Sequence, residues 1–162
     1  MTVEIRDAAA DDLAGIVTVF LACWRESYRG VLPDRLVDSM SDEKASELWR
    51  RGMAAQGARV ALGVRDGVVL GVTRYALEES VGVVHSLYVS PDARGLGLGR
   101  RLLERAAADL QAAGATTATL WVFADNAPSI GFYRACGWLP DGVTRVQEEF
   151  GEPELQLRKE LV

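Results

Sequence analysis

The sequence predicts an α/β (α+β) fold: a mixed, mostly antiparallel sheet of about seven strands, flanked by about four helices. Three observations predict it. Seven runs have strand length, most of them rich in β-branched or aromatic residues. Other segments repeat apolar residues at three- and four-residue spacing, as helices do. In the middle of the chain a strand, a glycine-rich turn, a helix and a second strand follow without a long linker, which makes the two strands parallel. The 162 residues, 49% hydrophobic and 25% charged, suit one domain with a substantial core, and no internal repeat is evident. A single domain over 1–162 is expected.

Val3 to Arg6 reads as a short strand and Asp7 to Asp11 as a turn into a helix. From Leu13, the residues Ile16, Val17, Phe20, Leu21 and Trp24 form one helical stripe ending near Glu26. Gly30 and Pro33 break it, and Asp34 to Met40 suits a short helical turn. Ser41 is a good N-cap, followed by Asp42 and Glu43 in the first turn, for a helix running to about Ala55. Ala58 to Arg65 and Val68 to Leu77 are strands joined by Asp66-Gly67, a dipeptide favoured in two-residue hairpin turns. Val81 to Val89 is the central strand, stopped by Pro91. Leu102, Leu103, Ala106, Leu110 and Ala113 make the buried stripe of the next helix, with Gly114 as its C-terminal cap. Thr116 to Phe123 is a strand buried on both faces. Asn126 to Cys136 is a short helix with Asn126 or Asp125 as cap and Pro128 in its first turn. Trp138 to Phe150 and Glu154 to Leu161 then form a closing antiparallel pair, with Gly151 and Pro153 at the turn.

The chemistry concentrates between the central strand and its helix. Arg94 and three glycines at alternate positions, Gly95, Gly97 and Gly99, stand where a strand turns into a helix. Such a turn presents unpaired backbone N–H groups and a positive helix end to an anion, and glycines let a phosphate approach the backbone. A dinucleotide fingerprint fails, because its last glycine would fall on Arg100 or Leu102, and a P-loop fails because the chain reads Gly-Arg-Arg. The pattern that fits is R-x-x-G-x-G, Arg94-Gly95-Leu96-Gly97-Leu98-Gly99, directly after L-Y-V-S-P. That run resembles the acyl-CoA loop of the GCN5-related N-acetyltransferase (GNAT) family.

A second stretch carries the same resemblance. N-A-P-S-I-G-F-Y-R-A-C-G-W, Asn126 to Trp138, is similar to the family's N-x-x-A/S-x-x-F/L-Y-x-x-x-G-F/W segment, one helix and one strand after the loop. The W-x-x-x-Y-x-G-x-L-P run from Trp24 to Pro33 resembles a subset of bacterial members. The element order is also that of the family, although the resemblance is specific only over about Val83 to Trp138.

The resemblance implies a sheet whose parallel central strands splay apart, with acetyl-CoA as co-substrate and a primary amine as acceptor. It assigns the pyrophosphate to backbone amides of the loop and following helix (Arg94, Gly95, Leu96, Gly97, Leu98, Gly99, Arg100) and the pantetheine arm to the backbone of Leu87, Tyr88 and Val89. Asn126 and Ser129 fall to the cofactor arm, Asn126 doubling as helix cap. Tyr133 is the implied general acid, a phenol able to donate to the departing sulfur. The oxyanion donor falls to a backbone N–H near Tyr88 or Val89. The family often places a glutamate on the central strand as base, but this chain has no carboxylate between Val81 and Val89; it has its only histidine, His85. Imidazole titrates in the useful range, so His85 is the candidate base, with Glu26, Glu78, Glu79 or a water chain as alternatives. Trp24 and Tyr28 are candidate walls of the acceptor pocket, or equally helix packing.

Composition bounds the rest. A net charge of −5 argues against a nucleic-acid or anionic-membrane surface. Cys23 and Cys136 are far apart and lack a metal-ligand pattern, which argues against zinc and suits buried free thiols in a reducing cytoplasm. No apolar run approaches membrane length, and a cytoplasmic location is expected. Neither cysteine nor serine sits in an activated-nucleophile pattern, so direct attack by the amine is expected. A homodimer through the closing strands stays open, as do acyl groups other than acetyl. The second reading is a non-catalytic acyl-CoA-binding or sensing protein that binds the cofactor without amine-dependent CoA release. A dinucleotide-dependent oxidoreductase is disfavoured by the glycine spacing.

Overall fold

The computed structural model describes residues 2–161. Strand β1 (Glu4–Asp7) leads through a single 3-10 turn into helix α1 (Leu13–Ser27), followed by α2 (Asp34–Asp38) and α3 (Asp42–Ala54). Strands β2 (Arg59–Arg65), β3 (Val68–Glu78) and β4 (Val81–Val89) precede α4 (Leu98–Ala112), β5 (Thr117–Phe123) and α5 (Ala127–Ala135). Strands β6 (Leu139–Val146) and β7 (Pro153–Glu160) close the chain. The seven strands form one mixed sheet in the order β1-β2-β3-β4-β5-β7-β6.

Local chemistry accounts for the elements. Asp66 and Gly67 both have positive φ, 53° and 78°, as a two-residue hairpin turn with the sheet's twist requires. Ser41 accepts a hydrogen bond from the Lys44 backbone N–H at 3.0 Å, capping α3. Asn126 caps α5 by accepting from the Ser129 N–H. Two expectations at the end of the chain are corrected. The penultimate strand stops at Val146 rather than Phe150, because Gln147 to Gly151 folds into a hydrogen-bonded turn. Pro153 is the first residue of β7 rather than part of the turn.

Helices α1 and α3 pack on one face of the sheet and α4 on the other. On the first face Phe20, Trp24 and Trp49 meet Val64, Val72 and Phe123. On the second, Leu103, Ala106 and Leu110 of α4 meet Tyr75, Val84, Leu120 and Leu157, with Tyr133 of α5 partly buried against them. Strand β6 is the exposed edge of the sheet, carrying Leu139, Val143 and Val146 in solvent. No helix among the described residues is long and apolar enough to cross a membrane.

Two irregularities in this sheet create the site. The parallel strands β4 and β5 pair only over Gly82–Val84 and Ala118–Leu120, although β4 runs on to Val89 and β5 to Phe123. Their C-terminal halves therefore diverge. On its other side β4 carries a bulge: Arg74 pairs with Ser86 and Tyr75 with Val84, leaving His85 as the extra residue.

Candidate active site

The divergence of β4 and β5 opens a cleft of about 2040 Å³ through the sheet. One end is the glycine turn. Gly95 and Gly97 have φ of +81° and +73°, a region that L side chains avoid, and a Cβ at either would meet nothing within 4 Å. The backbone is thus bare on the side where an anion would sit. Gly97 is also the N-cap of α4 and supplies no side-chain cap, so the first N–H groups of that helix are free to bind. A Cβ on Gly99 would lie 3.1 Å from Phe132, so glycine there lets α4 and α5 approach across the cleft floor. A turn this open above unpaired amides fits the diphosphate of a CoA.

Most of the residues singled out in the sequence line this one cleft. Arg94 donates to the Ser27 hydroxyl at 3.0 Å, tying the loop to the end of α1. Arg100 reaches the Ala135 carbonyl at 3.3 Å, tying α4 to α5. Leu96 is the exception: its side chain is outside the cleft wall and exposed, so only its backbone can serve a ligand. Trp24 fits both roles offered for it, lining the cleft and packing the helix. It is 3% exposed and its indole N–H donates to the Val37 carbonyl at 3.1 Å, so it chiefly anchors α1 to α2. Tyr28 packs edge-on against Trp24 and Phe123 and remains half-buried at the cleft.

Three phenols converge where the strands part: Tyr28 from α1, Tyr88 from β4 and Tyr133 from α5. Burial pushes each above the ordinary tyrosine value, and neighbouring phenol oxygens reinforce this at Tyr28 and Tyr133. All three are protonated donors at neutral pH. At His85, burial and the nearby Arg74 push the pKa below 6.5, outweighing the opposing pull of Glu78. Its Nε2 lies 3.2 Å from Glu78 Oε1. A neutral imidazole with its proton facing that carboxylate keeps the Nδ1 lone pair free.

The expectation of two buried thiols holds only for Cys23; Cys136 is half-buried at the C-terminal end of α5. Cys23 donates to the Val89 carbonyl at 3.0 Å, and burial raises its pKa to about 11. Among the described residues no three His, Cys, Asp or Glu side chains are grouped as metal ligands.

Sequence reasoning missed the wall built by the last two strands. Glu154, 5% exposed, accepts from Arg145 at 2.9 Å and from Gln147 at 2.8 Å. Arg145 in turn lies over the Trp121 ring, and Phe150 packs on Trp24 and Phe123. Arg74, facing the cleft from β3, was missed too. Its signal was available: an arginine inside an eleven-residue strand that is otherwise largely apolar.

A sheet split between parallel strands, with a bare glycine turn at the mouth and proton donors at the fork, defines an enzyme that holds a CoA thioester. Residues 18–138 match the model of the acetyltransferase (GNAT) family. The chain belongs to that family, and with it to the acetyl-CoA-dependent N-acetyltransferases. An uncharacterized N-acetyltransferase of Bacillus subtilis is 28% identical over 82% of this chain and 78% of its own length. An L-methionine sulfoximine/L-methionine sulfone acetyltransferase of Pseudomonas paraeruginosa is 31% identical over 93% of this chain and 89% of its own. The same fold occurs in PaiA N-acetyltransferase from Thermoplasma acidophilum in complex with coenzyme A, with a TM-score of 0.82 over 99% of both chains at 19% identity.

Proposed function

We propose that the chain transfers acetyl from acetyl-CoA to the primary amine of a small molecule or peptide by direct attack, with Tyr133 as general acid and His85 as general base. The observation that carries this reading is the fork itself: β4 and β5 separate after Val84 and Leu120, with cleft-lining Tyr133 on one side and His85 on the other. Acetyl-CoA supplies the activated thioester, whose carbonyl carbon takes the amine nitrogen as the carbon–sulfur bond breaks.

His85, neutral at pH 7, accepts the proton that an ammonium must lose before attack. Tyr133 gives its hydroxyl proton to the departing sulfur. With its pKa raised, it stays loaded until that moment. The bare amides of the glycine turn and of the first turn of α4 bind the diphosphate, while the unpaired edge of β4 from Leu87 to Val89 receives the pantetheine arm. Asn126 keeps α5, and hence Tyr133, in register by capping the helix. Cys23 gives an acyl-enzyme route no support, being held as a protonated donor to Val89. Among the relatives, the Pseudomonas paraeruginosa enzyme is named for small amine acceptors, which favours a small molecule over a protein.

The test is thiol release from acetyl-CoA across a panel of amines and short peptides, with Tyr133→Phe in parallel. Amine-dependent release that falls sharply in the variant supports the reading. Cofactor binding without release from any amine would favour a sensor instead.

A further inference from the structure

Arg74 is the one cleft-lining cation without a hydrogen-bond or ion-pair partner among the described residues. The others are engaged: Lys44 with Glu149, Arg51 with Glu47, Arg94 with Ser27, Arg100 with the Ala135 carbonyl and Arg145 with Glu154. Arg74 is half-buried and lines the cleft on the same wall as Tyr88 and His85. Burial lowers its pKa against the more distant charge of Glu78, yet a guanidinium stays charged in any protein, so a half-buried positive charge stands there with no bonded counter-ion. The fold makes room for it. A Cβ on Gly52 of α3 would come within 3.3 Å of the Arg74 Cδ and Nε atoms.

One turn away on α3, Trp49 is 1% exposed and its indole Nε1–H has no acceptor. Two unmet donors therefore stand on one wall, both lacking a hydrogen-bond acceptor. Their position excludes the cofactor's diphosphate as the missing group. Arg74 pairs with Ser86, three residues back from Val89, which puts it about 10 Å along β4 from the end that carries the glycine turn.

From this wall we infer that the acceptor carries a carboxylate, bound by Arg74, on the carbon next to the amine it offers: an α-amino acid. This rests on the acetyltransfer reading above and narrows its acceptor. The register makes the two ends of such a molecule consistent. Arg74 is opposite Ser86, and the bulge brings His85 onto the same wall. A carboxylate paired with the guanidinium leaves the amine one carbon away, on the His85 side. The planar fork of arginine matches a carboxylate with two parallel hydrogen bonds, which a lysine could not supply.

The experiment is equilibrium binding, by calorimetry, of free L-amino acids and their methyl amides to the CoA-loaded protein. Wild type is compared with Arg74→Met and Arg74→Lys, each checked for folding by circular dichroism. At least one free acid should bind roughly 10- to 100-fold more tightly than its amide, the range of a charged hydrogen-bonded pair. That ratio should collapse to within about twofold in Arg74→Met and be intermediate in Arg74→Lys. Amides that bind as well as free acids, a preference that survives Arg74→Met, or no binding of any free acid each overturn the proposal. If Arg74→Met does not fold, an undiminished preference in Arg74→Lys overturns it as well. Thiol release from acetyl-CoA on the same compounds separates the two readings. Release without preference for free acids removes the carboxylate assignment and leaves the transferase, while carboxylate-selective binding without release does the reverse.

Discussion

Cys23 on α1 donates its thiol hydrogen to the carbonyl of Val89 on β4, 3.0 Å away and 66 residues on in sequence. The bond fastens α1 to the half of β4 that has lost its β5 partner, so it fixes one lip of the cleft. With its pKa raised to about 11, the thiol is nearly all protonated at pH 7.5. Iodoacetamide at that pH is therefore expected to leave activity intact over the time that inactivates an enzyme with a thiolate nucleophile. Cys23→Ser, which keeps a donor to Val89, should retain thiol release. Rapid inactivation together with a dead serine variant would point to a covalent route.

Gly97 separates two demands on the loop, left-handed backbone and empty space. Gly97→Ala violates chiefly the first, since its methyl would meet no protein atom, and should cost about 1–2 kcal/mol of stability. Gly97→Glu adds bulk and a negative charge where the diphosphate binds. Its Kd for acetyl-CoA should rise at least about tenfold beyond that of the alanine variant. Equal affinities in the two would remove the diphosphate from this turn.

Tyr133→Phe keeps the ring that packs against α4 and removes only the hydroxyl. Turnover should fall by roughly 10²- to 10⁴-fold, the range for loss of a general acid, while Kd for acetyl-CoA changes by less than about threefold. Burial holds the phenol above its ordinary value of 10.0, so titration of this group should produce no basic limb below that pH. A surviving turnover would assign the proton to another donor at the fork.

The base can be read from pH dependence, with its sign fixed by burial and by the charges of Arg74, Glu78 and Arg145. Burial and Arg74 lower the His85 pKa below 6.5 and Glu78 raises it. The acid limb of kcat should then have its midpoint below 6.5 and be complete by neutral pH. Glu78→Gln removes a raising charge and should move the midpoint down; Arg74→Met removes a lowering charge and should move it up. His85→Gln should abolish the limb with the turnover it supports. A limb unchanged in all three variants would assign the titration elsewhere.

Wherever one residue type answers one local demand, the sequence was a sufficient guide. Ser41 caps, Asp66-Gly67 turns, the alternate glycines before Leu98 and the Asn126 to Trp138 run all fall where expected. What escaped it depends on contacts between distant strands. Nothing in V-V-H-S-L-Y-V marks His85 as the residue a bulge turns toward the cleft, because the bulge is a mismatch in register with β3. Nor could the apolar run at Thr117 to Phe123 show that its pairing with β4 ends at Leu120. Strand β7 inserts between β5 and β6, so the Glu154–Arg145 pair reaches the cleft only through the order of the sheet. Trp24 looked the same as wall or as core until its N–H was found on Val37.

Far from the cleft, Asp109 offers a stability test that should leave chemistry untouched. Its carboxylate accepts from the hydroxyl of the fully buried Tyr75 and from Arg105, and lies 3.2 Å from Arg59. Arg105 also reaches Asp7, so the Asp109–Arg105 pair links α4 to β1, β2 and β3. Burial alone would raise the Asp109 pKa, but the Tyr75 and Arg105 bonds and the Arg59 charge win and hold it below 3.8. A depressed folded value stabilises the fold above the unfolded pKa, and that contribution is lost as pH falls through the folded one. Asp109→Ala strands the Tyr75 hydroxyl without an acceptor and should cost about 1–3 kcal/mol at pH 7 in urea unfolding. The gap to wild type should narrow when the same unfolding is measured below pH 3.8, where the wild-type acid is being neutralised. Thiol release per folded molecule should be unchanged, since none of these residues lines the cleft. If release falls in step with stability, the network is also holding β4 in the register that the bulge at His85 requires.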